Sequence, residues 1–201
     1  MSEISRRDAV RRLAMVLAGT GALDAAGAQT IHAFVRMTAE AQAASGGTYA
    51  PKTFSAAQFR LLERLTDLII PVEDGKPGAL AAGCAPWIDM IASENDRLKS
   101  IYNTGLAWLD QAMKERGAAD FVGATPAQQS ALLDEIAYRR NQTPALAPGI
   151  EFFTWVRRMT VDAFYTSEIG FRDIDYRGNT HLGSYPSPVA SIEYAVTRAG
   201  L

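Results

Sequence analysis

The sequence predicts a mostly α-helical fold, an irregular bundle of about five to six helices with a long ordered C-terminal loop. Three observations predict it. Apolar residues recur at three- and four-residue spacing in several separate stretches. Two of those stretches open with a capping box, Ser55-Ala56-Ala57-Gln58 and Thr125-Pro126-Ala127-Gln128, in which a hydroxyl and an amide satisfy free N–H groups at a helix start. No stretch alternates apolar and polar residues for long enough to make a strand.

The first helix follows Ser55, carries Leu61, Leu62, Leu65, Leu68 and Ile69 on one face, and stops at Pro71. A short loop rich in Gly, Ala and Pro leads to a second helical start near Cys84. The third helix runs from about Asn95 to Arg116, with Leu98, Ile101, Tyr102, Leu109 and Met113 on its apolar side. A fourth begins at Thr125, with Pro126 at the first helical position and Leu132, Leu133, Ile136 and Ala137 inward. The fifth, from about Gly149 to Thr166, presents Phe152, Phe153, Val156, Met159, Ala163 and Phe164 to the core. Residues 167 to 189 read as the loop, and a short last helix spans roughly Val189 to Arg198.

With 201 residues, 48% of them hydrophobic and 21% charged, the chain suits one globular domain. Residues 1–28 read as a signal segment, 29–53 as a flexible linker rich in Ala, Gly and Ser, and 54–201 as the helical domain. A net charge of −2 provides no basic field for nucleic acid. One cysteine, Cys84, allows neither an internal disulfide nor a thiolate cluster, and reads as a small buried hydrophobe. With only His32 and His181, no multi-histidine metal site can form, and no Cys-x-x-Cys-His run exists to attach a haem. The sequence thus points to no cofactor or metal in this chain.

The N-terminus places Arg6-Arg7 after Ser5, then a mildly apolar stretch from Leu13 to Leu23 and a cleavage option at Ala26-Gly27-Ala28. That order matches a twin-arginine signal, which carries folded cargo to the periplasm or the outer face of the cytoplasmic membrane. The stretch is shorter than the roughly 20 apolar residues of a membrane span. The alternative is an amphipathic helix retained in a cytoplasmic protein, since Ala9 stands where an apolar residue is usual and Arg11-Arg12 adds charge.

No constellation of residues points to catalysis. Asp67, Glu73 and Asp74 flank the end of the first helix, where carboxylates are ordinarily solvated. Glu168, Asp173 and Asp175 alternate with Arg172 and Arg177, a pattern expected to form a buried ion-pair network that fixes the loop. His181 reads as a hydrogen-bonding loop residue, and no nucleophile elbow, phosphate loop or dinucleotide fingerprint is present.

The rings of the C-terminal loop are the informative part. Phe171, Tyr176 and Tyr185 fall outside any helical period, so burying them requires a surface other than their own helix, and Tyr165 precedes them at the helix end. The motifs here, Tyr165-Thr166-Ser167-Glu168-Ile169-Gly170, Tyr176-Arg177-Gly178-Asn179 and Tyr185-Pro186, resemble the C-terminal signature of the gluconate 2-dehydrogenase subunit 3 family. Phe152-Phe153 with Val156-Arg157, and the run from Ile69-Ile70-Pro71 to Ile88-Asp89, match the same family, so the resemblance covers roughly residues 54 to 185. It implies a non-catalytic small subunit that binds a large flavoprotein of the glucose-methanol-choline (GMC) type, with FAD in that partner and a c-type cytochrome as a further subunit. It implies support for the partner's folding, flavin retention and export, the partner oxidising an alcohol carbon of a sugar, sugar acid or glycoside. Tyr165, Phe171, Tyr176 and Tyr185 are then the expected partner interface. A transient export chaperone and a free-standing enzyme using the loop at 167–185 are the alternatives.

Overall fold

The computed structural model describes residues 49–176 and 188–199. Among them are seven α-helices and one 3-10 turn, and no strand beyond a single isolated bridge. The helices are α1 (Ala56–Ile69), α2 (Cys84–Ser93), α3 (Asp96–Glu115), α4 (Pro126–Ile136), α5 (Ala147–Tyr165), α6 (Glu168–Asp173) and α7 (Val189–Ala199). The mostly helical expectation holds, and both capping boxes form as the sequence specifies.

Helix α2 is the centre of the body. Eight of its ten residues, Cys84, Ala85 and Trp87 through Ala92, are buried, so the helix is enclosed on all sides rather than along one stripe. Helices α3 and α5 pack on it and on each other, α1 packs against α2 and α5, and α4 lies against α5. The α3–α5 contact is unusually close because each helix gives up a side chain to the other. A Cβ on Gly105 would lie 2.0 Å from Phe152 Cγ, and one on Gly149 would lie 2.4 Å from Trp108 Cζ3. Each ring therefore fills the space above the opposite backbone. Tyr102 meets Phe152 edge-on at 5.4 Å, and its hydroxyl donates to Met159 Sδ at 3.3 Å. At about 1.5–3 kcal/mol for each fully buried large apolar side chain, this set of rings and aliphatics is the main stabilisation of the body.

Helix α4 is tied in by a polar device. The buried Gln129 donates from Nε2 to the Phe121 carbonyl at 2.7 Å and accepts from Arg64 Nε at 3.0 Å and Nη2 at 2.9 Å. One amide thus joins α4, α1 and the loop before α4. On the expected inner faces, Leu132 and Ile136 are fully buried, while Leu133, Ala137, Leu68, Ile69 and Ile101 pack partly buried around the core.

Two sequence expectations change. The stretch after Thr166 does not run on as loop, because Ser167 caps a new helix by accepting the Gly170 N–H at 3.0 Å, and Glu168 and Arg172 suit the two ends of α6. Phe171 is thereby a helical residue. Residues 49–53, which composition places in the linker, are held against α2. Among the described residues no helix is long and apolar enough to cross a membrane.

Candidate functional site: an aromatic rim and a buried carboxylate clasp

The rim is built where α5 ends and α6 begins. Gly170 permits the tight turn, since a Cβ there would lie 2.0 Å from the Phe164 carbonyl oxygen. The Ser167 hydroxyl donates to that same oxygen at 2.6 Å, fixing the corner. With α6 so placed, Phe171 is half-buried and its ring sits 5.3 Å from Tyr176, which is 46% exposed. Ile174, between them, is 53% exposed. Tyr165 is 39% exposed and meets its own neighbour Phe164 edge-on at 5.0 Å. Of the four expected interface rings, the structure brings Phe171 and Tyr176 into contact; Tyr185 lies outside the described residues, as do Arg177 and His181.

Lys76 ties the turn after α1 to α6. It sits on a tight turn between α1 and α2 in which Asp74 and Gly75 both take left-handed backbone and Glu73 pairs with Lys76. Its Nζ is 2.9 Å from Asp173 Oδ1, and the hydrogen bond and charge of Asp173 raise the lysine pKa, with smaller contributions from Asp74 and then Tyr165. Exposed Val72 begins this turn.

The buried ion-pair network expected of the segment is corrected by these contacts. Arg172 pairs with Glu168 along the helix, both largely exposed, and Asp173 pairs outward with Lys76. A six-residue helix on the surface of α5 has no interior to hide charges in, so the pairs face solvent, which screens them.

The acidic cluster near α1 shows no acid–base pairing. Asp67 accepts from Arg64 at 2.9 Å, while Glu73 and Asp74 are exposed on the turn. Cys84 is fully buried, its thiol pointing to the Thr160 carbonyl at 3.8 Å, and burial pushes its pKa up to about 12. Among the described residues, no group of three metal-binding side chains converges. A groove of about 180 Å³ between α3 and α5 is lined by Ser100, Ile101, Thr104, Pro148, Glu151 and Phe152. Its only titratable side chain is Glu151.

The feature sequence reasoning missed is Asp89, in the middle of α2 and fully buried. Its Oδ2 accepts from the Tyr49 hydroxyl at 2.8 Å and the Lys52 N–H at 2.7 Å; its Oδ1 accepts from the N–H groups of Thr53 at 2.9 Å and Phe54 at 3.3 Å. The Thr53 hydroxyl donates to the Asp89 carbonyl at 3.1 Å, and the Tyr49 ring lies 5.3 Å from Phe59. Burial first, and then the Asp89 charge, raise the Tyr49 pKa and keep the phenol a donor. The available clue was a lone acid inside the apolar run Ala85-Pro86-Trp87-Ile88-Asp89-Met90-Ile91-Ala92.

Against known proteins, the profile of the gluconate 2-dehydrogenase subunit 3 family matches residues 56–186. No curated protein and no solved structure matches the chain.

Proposed function

Because the chain belongs to the gluconate 2-dehydrogenase subunit 3 family, accessory subunits of a dehydrogenase complex, we propose that it is the non-catalytic small subunit of an FAD-dependent, GMC-type dehydrogenase. The catalytic partner in this reading oxidises an alcohol carbon of a sugar, sugar acid or glycoside, and a c-type cytochrome subunit completes the assembly. The small subunit supports folding of the flavoprotein, retention of its flavin, and its export.

The observation that carries the reading is the rim at the end of α5, where Tyr165, Ile174 and Tyr176 expose apolar surface beside half-buried Phe171. Tyrosine and phenylalanine bring much contact area for few frozen torsions, which is why they anchor interfaces. We place the flavoprotein on Tyr165, Phe171, Tyr176 and Tyr185. Arg6 and Arg7 supply the twin-arginine signal that takes the assembled pair to the periplasm or the outer face of the cytoplasmic membrane.

The test is coexpression with a GMC-type flavoprotein, followed by size-exclusion chromatography read at protein and flavin wavelengths. Coelution with yellow absorbance is the expected result. A colourless monomer beside an active flavoprotein overturns a permanent subunit and leaves the transient export chaperone; turnover by the isolated chain would make it an enzyme.

A further inference from the structure

The Asp89 clasp lies outside the rim and has its own logic. A carboxylate with no solvent access is tolerated only when its lone pairs are filled, and here four donors fill them. Every one of the four comes from residues 49–54, in sequence N-terminal to the region the family profile matches. Three are consecutive main-chain N–H groups, so these bonds hold the backbone of the segment as well as its side chains. Removing the segment would strand a charge inside the central helix, and removing the carboxylate would strand three N–H groups and a phenol. Each side therefore stabilises the other.

We propose that residues 49–54 are a strap locked onto the helical body by the Asp89 carboxylate, and that this lock extends the cooperatively folded unit N-terminally past the cap of α1. The folded body then includes Tyr49, beside α2, and does not start at the cap of α1. Removal of residues 1–28 would leave the lock intact. This inference does not depend on the identity of the partner, because donors and acceptor belong to one chain.

The experiment is limited trypsin digestion of the full chain, with the products identified by mass spectrometry. The Lys52–Thr53 bond lies within the strap, its own nitrogen held by Asp89 along with those of Lys52 before it and Phe54 after it. Cleavage there reports the open population when closing is fast. In the native chain this bond is expected to resist while unprotected sites are cut. Asp89→Asn preserves shape but turns one acceptor oxygen into a donor that faces donors. It is expected to speed cleavage at Lys52 about tenfold or more, since hydrogen bonds to a charged group are lost, with the helical circular dichroism unchanged. Rapid cleavage at Lys52 in the native chain, or an unchanged rate in Asp89→Asn, overturns the lock. Should Asp89→Asn lose its helices, amide exchange in the native chain and in Tyr49→Phe decides instead. Slow exchange at Lys52, Thr53 and Phe54 that quickens in Tyr49→Phe supports the lock; fast exchange in both, or slow exchange in both, overturns it.

Discussion

Helices α5 and α6 follow each other with two residues between them, yet they spend their aromatic residues in opposite ways. Helix α5 buries Phe152, Phe153 and Phe164 almost completely and opens at its last residue, Tyr165, whereas α6 buries Gly170 alone, leaves Phe171 half-buried and is followed by exposed Ile174 and Tyr176. Helix α7 continues the second pattern, with Val189, Ile192, Tyr194 and Val196 exposed and no buried residue. The body therefore accounts for its own stability, and the C-terminal part has apolar surface that the described chain does not cover. In a family of accessory subunits, that division separates residues that make the fold from residues available to a second chain.

The strongest way to break the body is at the α3–α5 crossing. Gly105→Val would drive a branched side chain into the base of the Phe152 ring, where a Cβ alone would sit 2.0 Å from Cγ. The neighbouring atoms are Phe152 Cβ and Cγ, which cannot swing away without moving α5. A loss of about 3 kcal/mol or more is expected, at the upper end for overpacking, read from the urea midpoint. A midpoint within experimental error of the wild type would show that the two helices can part, and that the tight body is not what holds the fold.

The rim should respond in the opposite sense. Phe171→Ala with Tyr176→Ala removes the ring pair at 5.3 Å but touches nothing that the core requires. Helical circular dichroism and the urea midpoint are expected to stay close to wild type. Affinity for the flavoprotein is expected to fall by about 2 kcal/mol or more, roughly thirtyfold, as for truncated aromatic anchors. Loss of helical content would place these rings in the core and erase the contrast with α5. Unchanged copurification would move the interface elsewhere, with α7 the next surface to examine.

The same contrast explains what the sequence made legible. Helices of ten residues or more announced themselves through period and caps: Ser55 and Gln58 mark α1, Thr125 and Gln128 mark α4, and Asn95 accepts the Leu98 N–H at the start of α3. Helix α6 is six residues long, too short for any periodicity, and Gly170 in its middle reads as a loop former until its closeness to Phe164 is known. The clasp was invisible for another reason. Asp89 and its donors are 35 to 40 residues apart, and three of the donors are backbone groups whose identity no side chain reveals. The charges at the rim were noticed but misplaced, because alternation of sign tells that ions pair and not whether water surrounds them. Lys76, the actual partner of Asp173, lies nearly a hundred residues upstream.

The smallest expected effect falls where the two regions meet. Asp162 lies in the last turn of α5, 3.7 Å from Arg158, and partial burial raises its pKa while Arg158 pulls it down by less. A negative charge near a helix C-terminus is also disfavoured by the aligned peptide dipoles. The folded protein therefore holds this proton to higher pH than the unfolded chain does, and linkage fixes the sign: stability contributed by Asp162 is present below its ordinary value of 3.8 and declines as pH rises through the raised folded pKa. Asp162→Asn keeps the main-chain carbonyl that accepts the Thr166 hydroxyl at 2.6 Å and removes the titration. The variant should match wild type near pH 3.5 and be the more stable near pH 7, by no more than about 0.5 kcal/mol because the side chain is partly solvated. Paired urea curves at the two pH values measure the difference. A wild type that is the more stable at pH 7 would mean that the Arg158 ion pair outweighs desolvation, and that the end of α5 belongs electrostatically to the solvated rim.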